Sequence, residues 1–284
     1  MTYVHLLLKS QALLARYLPE NVIARIPGAS RVRTGVRQFV RSHVFPRGMK
    51  WVQVQDGFAK GLWIEIDLTT ERTWSLGRHE PAIQKALRQL VAPGTVMYDV
   101  GAHIGFHALP AARAGAQVIA FEPDPESASR LRANVECNDL CDRVRVVQAA
   151  AWSEASVSLP FRRGLPRSQG GICWEQCQPV LASGEITAIR AVRLDDVTAN
   201  DWPAPDIIKI DVEGAESEVL KGATGILQRN RPALIVEVHT ASQHVLVSQL
   251  LSSLCYTTVW DTPPEGFPRT CFAEPNSSHS SCRS

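Results

Sequence analysis

The sequence has almost no excess of charge: 30 Lys and Arg against 28 Asp and Glu leave +2 over 284 residues. That balance excludes a chain whose entire surface is a platform for nucleic acid. Long hydrophobic runs are missing too, and none reaches the roughly 18 uncharged apolar residues of a membrane-spanning helix. Glycine shows no three-residue period and heptads are not sustained, so collagen and a long coiled coil fall away. Cysteine is absent before Cys137 and totals seven, an odd number that intramolecular pairing cannot use up. Such scatter fits a reducing, cytoplasmic setting better than a disulfide scaffold. Two pairs, Cys137/Cys141 and Cys173/Cys177, have three residues between them. Structural zinc pairs favour tighter turns, so packing or exposed thiols are preferred here to a four-thiolate metal site.

What is present is an ordinary globular composition, 45% hydrophobic and 20% charged, enough for a sizeable core. The charge is unevenly placed. Through Lys50 the chain carries net +8 and the remainder −6, a basic arm on an acidic body. Residues 1–50 alternate apolar and basic positions at helical spacing, with Pro19 interrupting them. A transit peptide, a peripheral membrane-surface helix and a helical cap on the body all fit, and the cap with a solvated basic face is preferred. Lys9 and Arg16 break the apolar run that a cleaved secretory signal needs.

Residues 51–94 read as an opening hairpin, strands near 51–54 and 62–66 turning through Asp56-Gly57 and Gly61, followed by a helix over 81–90. From 95 to 275 strands alternate with helices. Strands are expected at 96–100, 117–121, 144–148, 207–210 and 234–238, and helices at 104–113, 125–138, 217–228 and 241–254. This alternation predicts an α/β, Rossmann-like parallel sheet covered by helices on both faces. Functional sites in such sheets lie beyond the carboxyl ends of the strands. The stretch 150–192 has no strong period and sits where a substrate-side lid belongs. Residues 276–284 are Ser-rich and read as a disordered tail.

The strongest local signal is Asp99-Val100-Gly101-Ala102-His103-Ile104-Gly105, at the turn from first strand to helix. Glycines there let a ligand approach the backbone. A dinucleotide fingerprint needs glycine where His103 stands, so that the backbone can touch a pyrophosphate. S-adenosylmethionine carries no phosphate and tolerates a side chain there, while its amino-acid end wants an acid, which Asp99 supplies. Glu122, ending the second strand, is placed to accept hydrogen bonds from both ribose hydroxyls. A second signal, Ile207 to Glu216, is a buried strand running into Asp211, Val212 and Glu213. The next strand ends in Glu237-Val238-His239, and His239 is a candidate general base for a hydroxyl.

Taken in order, these motifs resemble the FkbM-type class I S-adenosylmethionine-dependent methyltransferases. The marks are Asp99 to Gly105, Ala120-Phe121-Glu122-Pro123, Leu194-Asp195-Asp196, Ile208 to Glu216, Lys221-Gly222-Ala223, and Arg231-Pro232 through Glu237-Val238-His239. His103 departs from the pattern, which has Asn there. The resemblance implies a seven-stranded sheet, with a sixth strand near 256–260 and an antiparallel seventh near 270–273. It places the cofactor against Asp99, Gly101, Ala102, His103, Gly105 and Glu122, with Ala150 and Trp152 beside the adenine. It implies methyl transfer to a hydroxyl of a sugar, glycan or secondary metabolite, with no nucleic-acid partner. Asp211 would position the reacting end or take the proton, Glu213 and Glu216 would organise the loop, and His239 is the alternative base. No Asp-Asp-Asn set is evident, so a metal-free site is expected over a divalent ion at the paired acids. A nicotinamide-dependent oxidoreductase and a non-catalytic cofactor-binding scaffold are the alternatives. Arg162, Arg163, Arg167 and Trp174 are candidate acceptor contacts.

Overall fold

The computed structural model describes residues 48–68, 70–155, 157–162, 171–172, 186–199, 202–261 and 266–276. The basic segment through residue 47, Arg163, Arg167, Trp174, the pair Cys173/Cys177 and the tail from 277 lie outside them. The described residues fall into two compact units. The small one comprises 48–51 with 66–72. Within it the Asp67 carbonyl accepts from the Thr70 and Glu71 N–H groups at 3.1 and 2.7 Å. The Asp67 N–H in turn donates to Glu71 Oε2 at 2.9 Å.

The seven-stranded sheet lies in the large unit. In chain order the elements begin with β1 (Met49–Gln53) and β2 (Trp63–Asp67), with Val54 and Gly61 paired in the turn between them, then the short helix α1 (Arg72–Ser75) and α2 (Pro81–Leu90). Then follow β3 (Val96–Val100), α3 (Ala108–Arg113), β4 (Gln117–Phe121), α4 (Pro125–Cys137) and β5 (Val144–Val147). Four short strands, β6 (Ala150–Ala151), β7 (Ser158–Arg162), β8 (Gly171–Ile172) and β9 (Ile186–Val192), precede α5 (Leu194–Ala199) and β10 (Ile207–Ile210). The chain ends with α6 (Glu216–Lys221), α7 (Thr224–Arg229), β11 (Ala233–Val238), α8 (Ala241–Ser253), β12 (Tyr256–Trp260) and β13 (Arg269–Pro275).

Seven strands form one sheet in the order β12-β13-β11-β10-β3-β4-β5. The five from β11 to β5 run parallel, and β13 is antiparallel to both its neighbours. The near-continuous apolar strands Ile207–Ile210 and Ala233–Val238 are what a sheet covered on two faces requires. On one face Tyr98, Val100, Ile208, Ile210, Leu234 and Val236 pack against Val219, Leu220, Ile226, Leu227 and Leu251. Strand alternation turns Asp99, Lys209 and Glu237 to the other face. From β3 the chain winds outward to β5, then returns to lay β10 on β3's other side. That reversal makes the gap beyond β3 and β10 the switch point of the sheet.

Four expectations change. Helix α3 begins at Ala108, not 104, because His103 and Gly105 adopt φ of 49° and 88°, which no helix continues. The helix expected over 217–228 is two helices. A Cβ on Gly222 would lie 2.0 Å from the Trp152 carbonyl oxygen, so the chain turns there. Asp195 then receives the Gly225 and Ile226 N–H groups at 2.9 and 2.7 Å and starts α7. The irregular stretch 150–192 contains a four-stranded sheet, β6-β9-β7-β8. Cys137 and Cys141 are free and exposed and Cys271 is free and buried, whereas Cys255 is disulfide-bonded, which departs from thiols throughout. Among the described residues no helix is long and apolar enough to cross a membrane.

Candidate active site

The turn after β3 is shaped by backbone contacts. The Gly101 and Ala102 N–H groups both donate to the Phe121 carbonyl, at 2.9 and 3.0 Å. Gly101 has φ 78°, and a Cβ there would meet the Asp211 carbonyl oxygen at 1.7 Å. Only glycine fits this approach of the β3 and β10 ends. His103 N–H donates to Glu122 Oε2 and Asp124 N–H to Glu122 Oε1, each at 2.8 Å, so the backbone aims the carboxylate from both sides. Asp124 itself caps α4 through Ser127 N–H at 3.0 Å.

Burial pushes Glu122 up to about 7, outweighing the two backbone donors that favour its charged form. A carboxyl raised by folding contributes stability that is complete below its unfolded pKa of about 4.3. That contribution is lost as pH rises through about 7. Burial of the His103 ring, with the Arg130 charge adding to it, pushes that imidazole down to about 3, so it is neutral at working pH. Its edge meets Trp74 with centroids 4.9 Å apart.

A cleft enclosing about 730 Å³ opens beside this turn. Gly101, His103 and Glu122 form one wall, Ala149, Ala150, Ala151, Phe161 and Ile172 an apolar wall, and Asp211 and Glu213 one end. Among the sequence candidates, Asp99, Ala102, Gly105, Trp152 and His239 are not in its lining. Trp152, 7% exposed, packs with Phe161, Ile172 and Ile189 and supports the apolar wall from behind. Gly105 serves packing: a Cβ there would meet Leu131 Cδ1 at 2.4 Å.

Behind the cleft end lies a charged cluster. Lys209, opposite Asp99 in the β3–β10 register, puts its ammonium 3.3 Å from Asp99 Oδ1 and 3.4 Å from Asp211 Oδ2. Burial works against that charge, but Asp99 and Asp211 outweigh it and raise the lysine well above its usual range. His239 Nδ1 is hydrogen-bonded to Glu216 Oε1 at 2.8 Å. Its Nε2 faces Asp211 Oδ1 at 3.6 Å, Glu213 Oε2 at 3.5 Å and Glu237 Oε1 at 3.9 Å. Burial alone would lower this imidazole, but the Glu216 bond and the Asp211 and Glu213 charges carry it to about 10. The free imidazole is therefore a cation among acids at neutral pH, which weakens its reading as a ready base. Burial pushes Glu213 up to about 7 and Glu237 up to about 8, with neighbouring carboxylates adding to both shifts.

Glu80, Lys209, Glu216 and Glu237 were not singled out as reacting groups by sequence. Glu80 sits at φ 44° before α2, where its carboxylate meets His79 and His107 at 2.5 and 2.7 Å. The charge of Glu80 is felt by Lys209, Glu213 and Glu237. A Glu ahead of a Pro-started helix reads as an ordinary helix start, so no local signal could have found this role.

A seven-stranded sheet with its one antiparallel strand next to the edge, and a cleft at the switch point, defines a class I methyltransferase fold. The chain belongs to the methyltransferase FkbM domain family, which it matches over residues 99–257. It is a methyltransferase that uses S-adenosylmethionine. It is 32% identical over 200 residues to the hexuronic acid methyltransferase AglP of Haloferax volcanii, covering 67% of this chain and 76% of that one. To the 31-O-demethyl-FK506 methyltransferase FkbM of Streptomyces tacrolimicus it is 32% identical over 221 residues, covering 68% and 80%. To the 2-O-methyltransferase NoeI of Sinorhizobium fredii it is 29% identical over 168 residues, covering 52% and 66%.

Proposed function

We propose that this methyltransferase acts on a hydroxyl, that of a sugar, glycan or hydroxylated metabolite, and that Asp211 takes the proton. One observation carries the reading. Asp211 lines the cofactor cleft and also faces the imidazole of His239, so the methyl donor's end of the cleft and the proton-accepting cluster meet at one carboxylate. The donor set fits the cofactor: Glu122 for the ribose hydroxyls, the alanine, Phe161 and Ile172 wall for the adenine, and Asp211 and Glu213 for the cationic end. Bound S-adenosylmethionine would supply an electrophilic methyl to the acceptor oxygen, its electron pair staying on sulfur, and the hydroxyl proton would pass to Asp211.

The chain's own work is to orient and to accept that proton. Lys209 holds Asp211 Oδ2, while Oδ1 faces His239 Nε2. Glu213, left-handed at φ 55°, presents its carboxylate beside it. The Hexuronic acid and 2-O-methyl acceptors in the relatives' names support a sugar hydroxyl. The test is methyl transfer to a panel of uronic acids and glycans, read as a mass gain of one methyl. Asp211→Asn is expected to lower kcat at saturating cofactor by about 10²–10⁴-fold. Full turnover by the Asn variant would remove Asp211 as proton acceptor.

A pH profile tests the other wall. If ribose hydroxyls donate to the Glu122 carboxylate, binding favours its ionised form, the opposite preference to that of the empty cleft. Cofactor affinity by calorimetry is then weaker at pH 6 than at pH 8, by up to about tenfold. Glu122→Gln is expected to bind more weakly and to lose this pH dependence. Wild-type affinity in that variant at both pH values would place the ribose elsewhere.

A further inference from the structure

The sequence argues for a metal-free site, and the arrangement around His239 argues the other way. We infer that Asp211, Glu237 and His239 form a binding site for a divalent metal ion of the magnesium–manganese type. One ligand atom from each lies within 4.8 Å of the others. Asp211 Oδ1 and Glu237 Oε1 face His239 Nε2 at 3.6 and 3.9 Å, too far for hydrogen bonds. Ligand atoms about 2.1 Å from a shared ion stand roughly 3.0 Å apart at octahedral angles and 3.4 Å at tetrahedral ones. The 3.6 and 3.9 Å separations stand within about 0.5 Å of the tetrahedral spacing.

Glu237 points independently to a missing cation. It is 9% exposed, and its Oε2, shut off from solvent, has no hydrogen-bond partner. Burial and the neighbouring carboxylates hold that group protonated up to about pH 8, and a cation bound beside it is what would let it ionise there. The partners of the other two groups leave one donor atom free on each. Lys209 engages Asp211 through Oδ2 and leaves Oδ1 available. Glu216, fully buried, engages His239 through Nδ1 and turns Nε2 toward the two carboxylates, and the imidazole, a cation in the free site, would release its Nε2 proton as the ion bound. A histidine whose far nitrogen is tied to a buried carboxylate has the orientation that metal-bound imidazoles show. Two carboxylates with one imidazole suit manganese, which accepts oxygen and nitrogen ligands alike.

Such an ion would sit beside Asp211 behind the cleft end, where it could take a hydroxyl as a further ligand and make it more acidic, with Asp211 then its ligand and not the free base. That consequence rests on the methyl-transfer reading, whereas binding of the ion does not. The experiment titrates chelator-treated full-length protein with Mn2+ alone, by calorimetry and electron paramagnetic resonance, with cofactor affinity measured in parallel. One equivalent is expected to bind. Glu237→Gln and His239→Asn should each weaken binding by at least about tenfold, and Glu216→Gln by about 10–100-fold. Glu122→Gln should leave Mn2+ affinity unchanged. Because a variant in this cluster can lose its fold, the wild-type protein gives a second readout. The imidazole signal of His239 should broaden at substoichiometric Mn2+. No saturable Mn2+ binding, or binding that leaves the His239 signal sharp, overturns the site even if the cofactor binds normally. Mn2+ binding without cofactor binding would instead leave the site standing and sink the methyl-transfer geometry.

Discussion

Lys209→Met is expected to lower stability by about 3–5 kcal/mol, the largest effect of any single side-chain replacement in the cluster. The reason lies in what remains. The Asp99 carboxylate is 1% exposed and neither oxygen accepts a hydrogen bond. The Lys209 ammonium 3.3 Å away supplies its compensation and also faces Asp211. Methionine fills the volume but strands one buried charge beside another. The sign with pH follows. In the wild type the raised lysine gives stabilisation that is complete below its unfolded pKa of about 10.4 and fades only in strong alkali. Urea unfolding midpoints at pH 8 should show the loss in Lys209→Met, and adding Asp99→Asn should restore most of it. A single variant within about 1 kcal/mol of wild type at pH 8 would mean that water or another group compensates Asp99.

This pair also marks the boundary of what sequence reading reaches. Asp99 is conspicuous in the chain because it precedes a glycine turn, and it reads as a cofactor acid. Its position depends on the β3–β10 register, which sets Lys209 opposite it across 110 residues of chain. No local pattern encodes that pairing. The parallel strands were legible because residues buried on two faces form unbroken apolar runs. Glu122 stands out in the chain because it ends the second strand, and the structure places it in the cleft wall. The small sheet within 150–192 was hidden: β7 contains Pro160 and pairs with β9 some thirty residues on, so neither strand shows alternation strong enough to stand alone. Glu216 read as one acid of a loop, and becomes the anchor of His239 only when β11 brings that histidine over it. His239 itself was placed as a base on its unperturbed chemistry, which four surrounding carboxylates then change.

The glycine turn offers the sharpest steric test, because two glycines in the same left-handed region separate backbone strain from collision. Gly94 has φ 88° and an added Cβ would meet nothing within 4 Å, so Gly94→Ala is expected to cost only the conformational penalty of about 1–2 kcal/mol. Gly101 has φ 78°, and its Cβ would lie 1.7 Å from the Asp211 carbonyl oxygen. That oxygen belongs to backbone and cannot swing aside; either the turn after β3 or the end of β10 must move. Gly101→Ala should thus lose about 3 kcal/mol or more, clearly beyond the Gly94 control. The displacement also has a functional cost, because the same turn carries His103 N–H to Glu122 and the same β10 end carries Asp211 into the cleft. Cofactor affinity is expected to fall by at least about tenfold in Gly101→Ala where the protein remains folded, since a misplacement near 1 Å is enough to uncouple both walls. Thermal unfolding of the two alanine variants, followed by cofactor calorimetry on each, checks both halves. Equal stability losses at Gly94 and Gly101 would show that backbone strain alone sets the cost and that the β3 and β10 ends have room to part.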